Sequence, residues 1–253
     1  MNVGPQVANP LEDVEPFLHR FLRDADGAAF MHSSMPGRCI IALSSGGNPC
    51  YVLKIGRADD HPLRNEAEFL MKVSGMRLGF RVPELVYADS VGERYVVVTH
   101  AWRKARLAGP LSRSEVLGIT EVLGATKTGN ASLIHGDLAP WNVLRTPGQI
   151  GVIDWEAARF ADQPLGDLIH YLVQAGAILR WVDVPTVVRE LTHPRGMVVE
   201  LAARLGLPRS QVAEGVHAYF TSFPPVSVKR VRRFREDVAV AVGVPAHRSR
   251  ERV

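Results

Sequence analysis

Hydrophobic residues near the start of the chain recur at helical spacing and then give way to short extended runs. The periodicity over residues 11–22 predicts an amphipathic helix. Residues 38–45 and 50–56 are rich in aliphatic side chains, and the Gly-Gly-Asn-Pro segment at 46–49 between them is typical of a turn. We therefore expect a helix followed by a β-hairpin. The apolar face of the helix comprises Leu11, Val14, Phe17, Leu18, Phe21 and Leu22.

The hairpin is followed by one helical segment and two further extended runs. Residues 63–73, which begin just after Pro62, have apolar side chains at helical spacing. Residues 82–89 and 94–101 have the composition of strands. After the N-terminal helix, the first hundred residues are therefore predicted to be mostly a sheet with one helix. Lys54 lies at the end of the second strand of the hairpin.

The second half of the chain is predicted to be mainly helical. Ser112 and Glu115 have the spacing of a capping box, which predicts a helix over about 113–125. Residues 149–155 form one more β-like run, and Asp154 lies at its end. Because the strand over 94–101 is the last of the first group, we place a lobe boundary near residue 100. The helices expected after Asp154 lie around 165–173 and over 186–206, 208–220 and 226–242.

The composition is that of an ordinary globular protein, with 46% hydrophobic and 22% charged residues. The net charge is +4, but residues 227–253 hold eight Lys or Arg against three Asp or Glu, so the basic character belongs to the C-terminal tail. A basic tail helix is more often a solvated surface than a nucleic-acid site, and no RNA- or DNA-binding motif accompanies it. Nucleic-acid binding is therefore not expected.

The cysteines and the lack of long apolar runs predict a cytoplasmic protein. Cys39 and Cys50 have neither metal-ligand spacing nor a disulfide framework, which fits a reducing compartment. Acidic residues stand near the N-terminus, where a signal peptide would need a basic start. The longest apolar run, 238–244, is far too short to cross a bilayer, so no membrane association is expected.

The stretch LIHGDLAPWNVL, residues 133–144, places Asp137 and Asn142 five positions apart between two hydrophobic pieces. By itself this pattern also fits a simple turn, because Asp and Asn hydrogen-bond to their own backbone in turns. Three residues elsewhere change the interpretation: a strand lysine (Lys54), a helix glutamate (Glu66) and a strand-terminal aspartate (Asp154). Together the five match the working parts of phosphoryl transfer in the protein-kinase architecture, where positioning and charge neutralisation supply most of the catalysis.

Helix geometry selects the glutamate that would pair with Lys54. At about 100° per residue, Glu66 falls on the same face of the predicted helix as its apolar side chains, whereas Glu68 points nearly the opposite way. An acid within an apolar face requires a partner. We therefore predict that Glu66 pairs with Lys54 and that Glu68 meets solvent.

The segments IHGDLAPWNVL and GVIDWEAARFADQPLGDL resemble the aminoglycoside phosphotransferase and choline-kinase-like family, within the protein-kinase-like superfamily. The resemblance extends over about 38–173 and is strongest over 133–173. It implies an α+β, two-lobed, protein-kinase-like fold. The N-terminal lobe, 1–100, would hold a small antiparallel sheet and one key helix, and the C-terminal lobe, 101–253, would be mainly helical.

The resemblance also implies roles for individual residues in an ATP- and Mg²⁺-dependent kinase. Asp137 would be the catalytic base that faces the acceptor hydroxyl, and Asn142 and Asp154 would hold Mg²⁺. Lys54, oriented by Glu66, would contact the α- and β-phosphates of ATP. His135 and Asp167 would organise the catalytic loop. Three residues would line the adenine site, although each also fits a purely structural role in the core: Val52, Leu144 and Ile153.

Several departures from the kinase pattern favour a small-molecule acceptor over a protein. No Gly-x-Gly-x-x-Gly loop is present, and Ala139 stands where Ser/Thr protein kinases usually have a lysine. Only twelve residues separate Asp154 from Asp167, and they contain no Ala-Pro-Glu, so the usual peptide-docking segment does not fit. The expected function is phosphorylation of a hydroxyl on a small molecule. An atypical small protein kinase and a nucleotide-binding regulator without activity are the alternatives.

Overall fold

The computed structural model describes residues 14–31, 33, 35–222 and 228–244. Short 3₁₀ turns lie at Pro140–Asn142 and Trp155–Ala157. The helices are α1 (Glu15–Leu22), α2 (His61–Val73), α3 (Arg113–Ala125), α4 (Gly166–Ala177), α5 (Val184–Thr192), α6 (Met197–Arg204), α7 (Arg209–Ser222) and α8 (Lys229–Ala241). The strands are β1 (Gly27–Met31), β2 (Cys39–Ser45), β3 (Asn48–Arg57), β4 (Leu85–Val91), β5 (Arg94–His100), β6 (Arg106–Leu107), β7 (Lys127–Thr128), β8 (Ala131–Ile134), β9 (Val143–Thr146), β10 (Gln149–Val152) and β11 (Arg159–Ala161).

The described residues divide into two compact units. The first comprises residues up to 76, 81–106 and 145–157, and the second comprises 77–80, 107–144 and the residues from 158 onward. The chain thus leaves the first unit at residue 106 and returns to it for 145–157. This returning segment brings Asp154 to the same unit as Lys54, so the first unit is not one continuous stretch of sequence.

The first unit is built on a five-stranded antiparallel sheet in the order β1-β2-β3-β5-β4. The predicted hairpin is confirmed, since Ser45 pairs with Asn48 around a two-residue turn. Gly46 and Gly47 have φ values of 56° and 72°, which glycine adopts without steric cost. The strand β1 lies at the edge of the sheet, and most of its residues are exposed. It was not predicted, because a strand without alternating buried positions has no alternating hydrophobic pattern in its sequence.

The two faces of this sheet have separate hydrophobic cores. Leu53 and Ile55 on β3 belong to a core with α1. Lys54 lies between them in the strand, so it points to the opposite face. Its register partner on β5 is Val97, which packs with Leu63 of α2. The alternation of the strand therefore delivers the lysine to the side of the sheet that carries α2.

The predicted helices of this unit are confirmed where the structure describes them. The helix α1 buries Leu18 and Phe21 on the predicted face, while Leu11 lies outside the described residues. The helix α2 begins at His61, with Asp60 as its N-cap; the Asp60 carboxylate accepts from the backbone N–H of Leu63. This cap holds the start of the helix that carries Glu66.

The second unit has a helical core centred on α4. Almost every residue of α4 is buried, which identifies it as a central helix packed against α3, α5, α7 and α8. The predicted capping box at Ser112 and Glu115 is present at the start of α3. A three-stranded sheet in the order β11-β8-β7 leads into the loop that follows residue 134.

The single helix predicted over 186–206 is wrong, because the structure has two helices there. α5 ends at Thr192 and α6 begins at Met197, with Pro194 between them. Proline has no N–H for a helical hydrogen bond, and its ring disfavours helical backbone at the preceding residue. Of the predicted basic tail, 227–253, residue 227 and residues 245–253 lie outside the described part of the chain. None of the described helices combines the length and apolarity needed to cross a membrane.

Candidate active site

Lys54 is bound by two carboxylates within the first unit. Its Nζ donates to Glu66 Oε1 and Oε2 at 2.9 and 2.7 Å and to Asp154 Oδ1 at 2.5 Å. Glu66 is buried, whereas the Asp154 side chain keeps 31% of its surface exposed. Glu68 points outward and lies 3.8 Å from Lys72, so the two glutamates are oriented as the helix periodicity predicts. The lysine is thus held by one inner and one accessible carboxylate.

The charges of this cluster perturb one another strongly. Burial disfavours the Lys54 ammonium, but the carboxylates of Glu66 and Asp154 outweigh that effect and raise the pKa of Lys54. Burial also raises the pKa of Glu66, against the opposing effect of the Lys54 cation. Clustered ionisable groups with perturbed pKa values are typical of functional sites.

Asp154 has a backbone conformation that side chains rarely adopt. Its φ is 69°, in the left-handed region, where a non-glycine residue costs of order 1–3 kcal/mol. The next residue, Trp155, is fully buried, and its indole Nε1 donates to the carbonyl of Val152 at 3.0 Å. Anchoring of the neighbouring tryptophan holds the chain in this conformation and leaves the Asp154 carboxylate partly exposed.

Arg38 and Asn65 tie the segment after Asp154 to α2. Arg38 donates to both carboxylate oxygens of Asp60, the N-cap of α2, at 3.1 and 2.7 Å, and it also donates to Glu156. The amide Nδ2 of Asn65 donates to the carbonyl of Glu156 at 2.9 Å. These contacts connect the elements that carry Glu66 and Asp154. The sequence reasoning missed Arg38, because a single arginine before a strand has no periodic or motif signal.

The three residues predicted to line an adenine site are all half-buried. Val52 is two positions before Lys54 on β3 and therefore shares its face of the sheet. Ile153 directly precedes Asp154 in the first unit. Leu144 lies on β9 in the second unit. Val52 therefore lies on the same face of the sheet as Lys54. Ile153 belongs to the first unit and Leu144 to the second.

The loop 135–142 in the second unit is held by a buried aspartate. Asp167, in the first turn of α4, accepts from the backbone N–H groups of His135 at 2.7 Å and Gly136 at 2.9 Å. His135 is fully buried, and its Nδ1 accepts from the N–H of Asp137 at 3.3 Å. The predicted organising roles of Asp167 and His135 within the loop are confirmed by these contacts.

Asp137 and Asn142 lie next to each other at the two ends of this loop. Asn142 Nδ2 donates to the backbone carbonyl of Asp137 at 2.9 Å and to its Oδ2 at 3.2 Å. Because the amide nitrogen is used inside the loop, the amide oxygen is the atom of Asn142 suited to a cation. The Asp137 side chain is 38% exposed. The loop therefore presents a carboxylate at the surface of the second unit.

Sequence reasoning missed a histidine that binds Asp137. His170 Nε2 lies 2.9 Å from Asp137 Oδ1, and His170 Nδ1 lies 3.2 Å from the hydroxyl of Tyr219. His170 lies within the apolar run of α4, so from the sequence it resembles a core residue. Its only sequence signal was a polar side chain one helical turn after Asp167.

The donors at Asp154 and Asn142 have the chemistry that Mg²⁺ requires. A carboxylate and an amide oxygen are hard ligands, and Mg²⁺ bound with a nucleotide takes one or two protein ligands besides phosphate oxygens and water. Among the described residues, no group of three or more His, Cys, Asp or Glu is placed to hold a metal ion. Each of the two residues therefore offers, within its own unit, a donor of the kind that Mg²⁺ prefers.

Comparison with known families gives a match to the region that contains the loop 135–142 and Asp154. The model of the phosphotransferase enzyme family matches residues 94–177, about one third of the chain. This segment includes Asp137, Asn142, Asp154 and Asp167. The similarity of this region to the phosphotransferase enzyme family confirms the resemblance inferred from the motifs. No match to the sequence was found among curated proteins.

Solved structures with the same fold include aminoglycoside phosphotransferases and a choline kinase. Choline kinase LicA from Streptococcus pneumoniae has 13% identity and a TM-score of 0.54, with 90% of this chain and 98% of that chain covered. Aminoglycoside phosphotransferase APH(3'')-Id from Streptomyces rimosus, in complex with ADP and streptomycin, has 13% identity and a TM-score of 0.52, with 78% and 92% covered. A thermostable mutant of aminoglycoside phosphotransferase APH(4)-Ia has 13% identity and a TM-score of 0.55, with 90% and 98% covered.

The comparisons define the class of the protein in two respects. The fold is kinase-like, as predicted, with an antiparallel sheet in the first unit and a mainly helical second unit. The family match over residues 94–177, which contain the predicted site residues Asp137, Asn142 and Asp154, indicates an enzyme of the phosphotransferase class.

Proposed function

We propose that this protein transfers the γ-phosphoryl group of ATP to a hydroxyl group of a small molecule. The observation that carries the proposal is the binding of Lys54 by both Glu66 and Asp154. A strand lysine oriented by a helix glutamate and adjacent to a metal-binding aspartate is the phosphate-binding arrangement of kinase-type phosphoryl transfer. The second unit supplies Asp137, whose exposed carboxylate is suited to the role of base.

The roles of the nucleotide-binding residues follow from their chemistry. The Lys54 ammonium would bind the α- and β-phosphates, and Glu66 would hold it in place. Val52, Leu144 and Ile153 would contact the adenine. Mg²⁺, held by Asp154 and the amide oxygen of Asn142, would neutralise the charge on the β- and γ-phosphates. The ADP and streptomycin complex of the structurally similar aminoglycoside phosphotransferase APH(3'')-Id supports a nucleotide of this kind.

The transfer itself needs one proton acceptor. The acceptor hydroxyl gives its proton to Asp137 while its oxygen forms a bond to the γ-phosphorus. The bond from that phosphorus to the bridging oxygen breaks, and ADP leaves with the electron pair. Asp137 then releases the proton to solvent. Positioning and charge neutralisation supply most of the acceleration in such reactions, and a general base adds roughly 10²–10⁴-fold.

Two features favour a small-molecule acceptor. Only a short segment separates Asp154 from Asp167, and it consists of the 3₁₀ turn, β11 and a brief loop, with no peptide-docking platform. The related structures named above are kinases of choline and of aminoglycosides. The free thiols Cys39 and Cys50 fit the reducing cytoplasm, where ATP and Mg²⁺ are abundant.

A nucleotide-release screen tests this function. ADP formation from MgATP would be measured with neutral and anionic sugars, nucleosides, choline, aminoglycosides and a protein extract, and the product would be identified by mass spectrometry. We expect a phosphorylated small molecule and loss of ADP formation in Asp137→Asn. Absence of both ADP formation and MgADP binding by the wild type would refute the proposal, whereas phosphorylation confined to the protein extract would identify a protein kinase instead.

A further inference from the structure

A buried histidine on α4 contacts the carboxylate of Asp137. His170 is 3% exposed, and its two ring nitrogens have different partners: Nε2 lies 2.9 Å from Asp137 Oδ1, and Nδ1 lies 3.2 Å from the hydroxyl of Tyr219. Tyr219 is on α7 and is also buried. The three side chains form a chain of hydrogen bonds that begins in the core of the second unit and ends at an exposed carboxylate.

The chemistry of the two partners determines the tautomer of His170. An ionised carboxylate only accepts hydrogen bonds, so the nitrogen that faces Asp137 must carry the proton. In a neutral imidazole the other nitrogen is then an acceptor, and the Tyr219 hydroxyl can donate to it. Burial raises the pKa of Tyr219, which keeps the phenol protonated and able to donate. The Nε2–H tautomer therefore satisfies both contacts.

One face of α4 contacts both the backbone of the loop 135–142 and the side chain of Asp137. Asp167 accepts from the backbone N–H groups of His135 and Gly136, which lie just before Asp137. His170 comes three residues after Asp167, so both side chains lie on one face of the helix. Asp167 thus fixes where the loop passes, and His170 fixes where the Asp137 carboxylate points.

We propose that His170 is a positioning residue for the phosphoryl-transfer base, acting through its Nε2–H bond to Asp137, with Tyr219 holding the imidazole in the required tautomer. This inference rests on the proposed function, in which Asp137 is the base. Asn142 donates to the other carboxylate oxygen, so the two contacts together restrict rotation of the carboxyl group. A base must lie within hydrogen-bond reach of the proton it removes. Loss of the His170 contact would free the carboxylate to leave that position.

The size of the effect follows from the cost of misplacing a reacting group. A shift of about 1 Å can cost roughly 100-fold in rate. We therefore expect His170→Phe, which keeps the ring but has no donor, to lower kcat by about 10- to 100-fold while leaving the KM for MgATP little changed. His170→Gln can place an amide N–H near the Nε2 position, and it should retain a kcat within a few-fold of the wild type.

The experiment measures ADP release from MgATP, first with water as the phosphoryl acceptor and then with the best hydroxyl acceptor of the screen. The same samples are tested for MgADP binding by calorimetry and for folding by thermal melting. Tyr171→Phe is the matched control, because it removes a hydroxyl on the same helix whose oxygen accepts from the Leu111 N–H. This control should turn over like the wild type.

A double-variant comparison separates positioning from a merely structural role. If His170 acts through Asp137, then His170→Phe should cause almost no further loss of kcat in an Asp137→Asn background. Nuclear magnetic resonance of ¹⁵N-histidine-labelled protein provides a readout apart from activity, with His170 expected as the Nε2–H tautomer. Its signal is identified by its loss in His170→Gln.

Each outcome distinguishes this inference from the proposed function. An active wild type with an unimpaired His170→Phe overturns the positioning role and leaves the function intact. Equal losses in the wild-type and Asp137→Asn backgrounds, or an Nδ1–H tautomer, also overturn it. A wild type without any turnover of MgATP overturns the proposed function, and the positioning role falls with it.

Discussion

Lys54 Nζ and Asp154 Oδ1 lie 2.5 Å apart although the two residues are separated by 100 positions in the sequence. The contact joins a lysine in the middle of a sheet to an aspartate that follows a later strand. Lys54 is held at the same time by the buried Glu66, so the lysine is positioned by the first carboxylate and pairs with the more exposed second one. This arrangement gives Asp154 a role that can be tested by substitution.

Asp154→Ala should abolish turnover and weaken MgADP binding much more than it changes folding. The carboxylate is the proposed ligand of Mg²⁺, and its loss removes the charge that would hold the metal near the phosphates. Turnover, calorimetric MgADP binding and thermal melting would be measured on the same protein. Asp59→Ala is the matched control, because Asp59 is a largely exposed aspartate of the same unit. Full activity of Asp154→Ala would show that the metal assignment is mistaken.

Lys54→Met should impair nucleotide use severely, and Glu66→Gln should give a milder defect of the same kind. The methionine removes the phosphate-binding cation and leaves Glu66 buried without its main partner, whereas the glutamine keeps a hydrogen-bonding side chain beside Lys54. Glu68→Gln is the control, since Glu68 points away from the lysine. ADP affinity and kcat/KM for MgATP measure the effect. A larger defect in Glu68→Gln than in Glu66→Gln would contradict the helix-face assignment.

Asp137→Asn should retain nucleotide affinity and lose roughly 10²–10⁴-fold in phosphoryl transfer, the usual contribution of a general base. The substitution preserves shape, and the amide oxygen can still accept from His170, so the loop should keep its structure. Single-turnover phosphoryl transfer and MgADP binding distinguish the two steps. If nucleotide binding is lost instead, Asp137 has a structural role.

The sequence predicted the elements that carry a repeating pattern or a short-range motif. The face of Glu66 followed from helix periodicity, and the Ser112–Glu115 capping box and the turn at Gly46 and Gly47 are local signals. Each depends on residues within one or two turns of chain, so a single sequence contains enough information to predict it.

The features that escaped prediction depend on contacts made only in three dimensions. The sequence around His170 predicts an apolar helix, and its partner Asp137 lies 33 positions away. Arg38 reaches Glu156 across 118 positions. The return of residues 145–157 to the first unit is likewise a property of the whole fold. A local sequence pattern cannot predict such pairings, because these residues come together only in the folded chain.

Asp60→Asn should lower stability at neutral pH and reduce the acid sensitivity of the first unit. Burial opposes ionisation of Asp60, but the donors Arg38 and Leu63 outweigh it and lower the pKa of Asp60 below its ordinary 3.8. A carboxyl group with a depressed pKa stabilises the fold above its unfolded pKa, and this contribution disappears as the pH falls through the folded value. Asparagine has no such titration.

The test of this prediction is denaturant unfolding as a function of pH. At pH 7 we expect Asp60→Asn to lose about 1.5–3 kcal/mol, the range for a hydrogen bond to a charged group, since asparagine can still cap α2. Below about pH 3.8 the difference from the wild type should shrink. A difference that stays constant across the acid range would show that Asp60 is not ionised in the folded protein. Asp59→Asn, on an exposed neighbour, should have little effect at either pH.

Typical aminoglycosides should be poor substrates, and a neutral or anionic hydroxyl compound should be preferred. A polycationic acceptor needs several carboxylates at short range to replace the water around its ammonium groups. Residues 155–226, a range that includes α4 to α7 of the second unit, contain seven Asp or Glu and six Arg. Several of these acids are already paired with arginine, as Glu190 and Glu200 are with Arg113. The negative charge available to bind such a ligand is therefore small.

Steady-state kinetics with kanamycin-like and neutral acceptors measures the preference. A kcat/KM for a kanamycin-like compound at or above about 10⁴ M⁻¹s⁻¹, the low end for ordinary enzymes, would contradict this prediction.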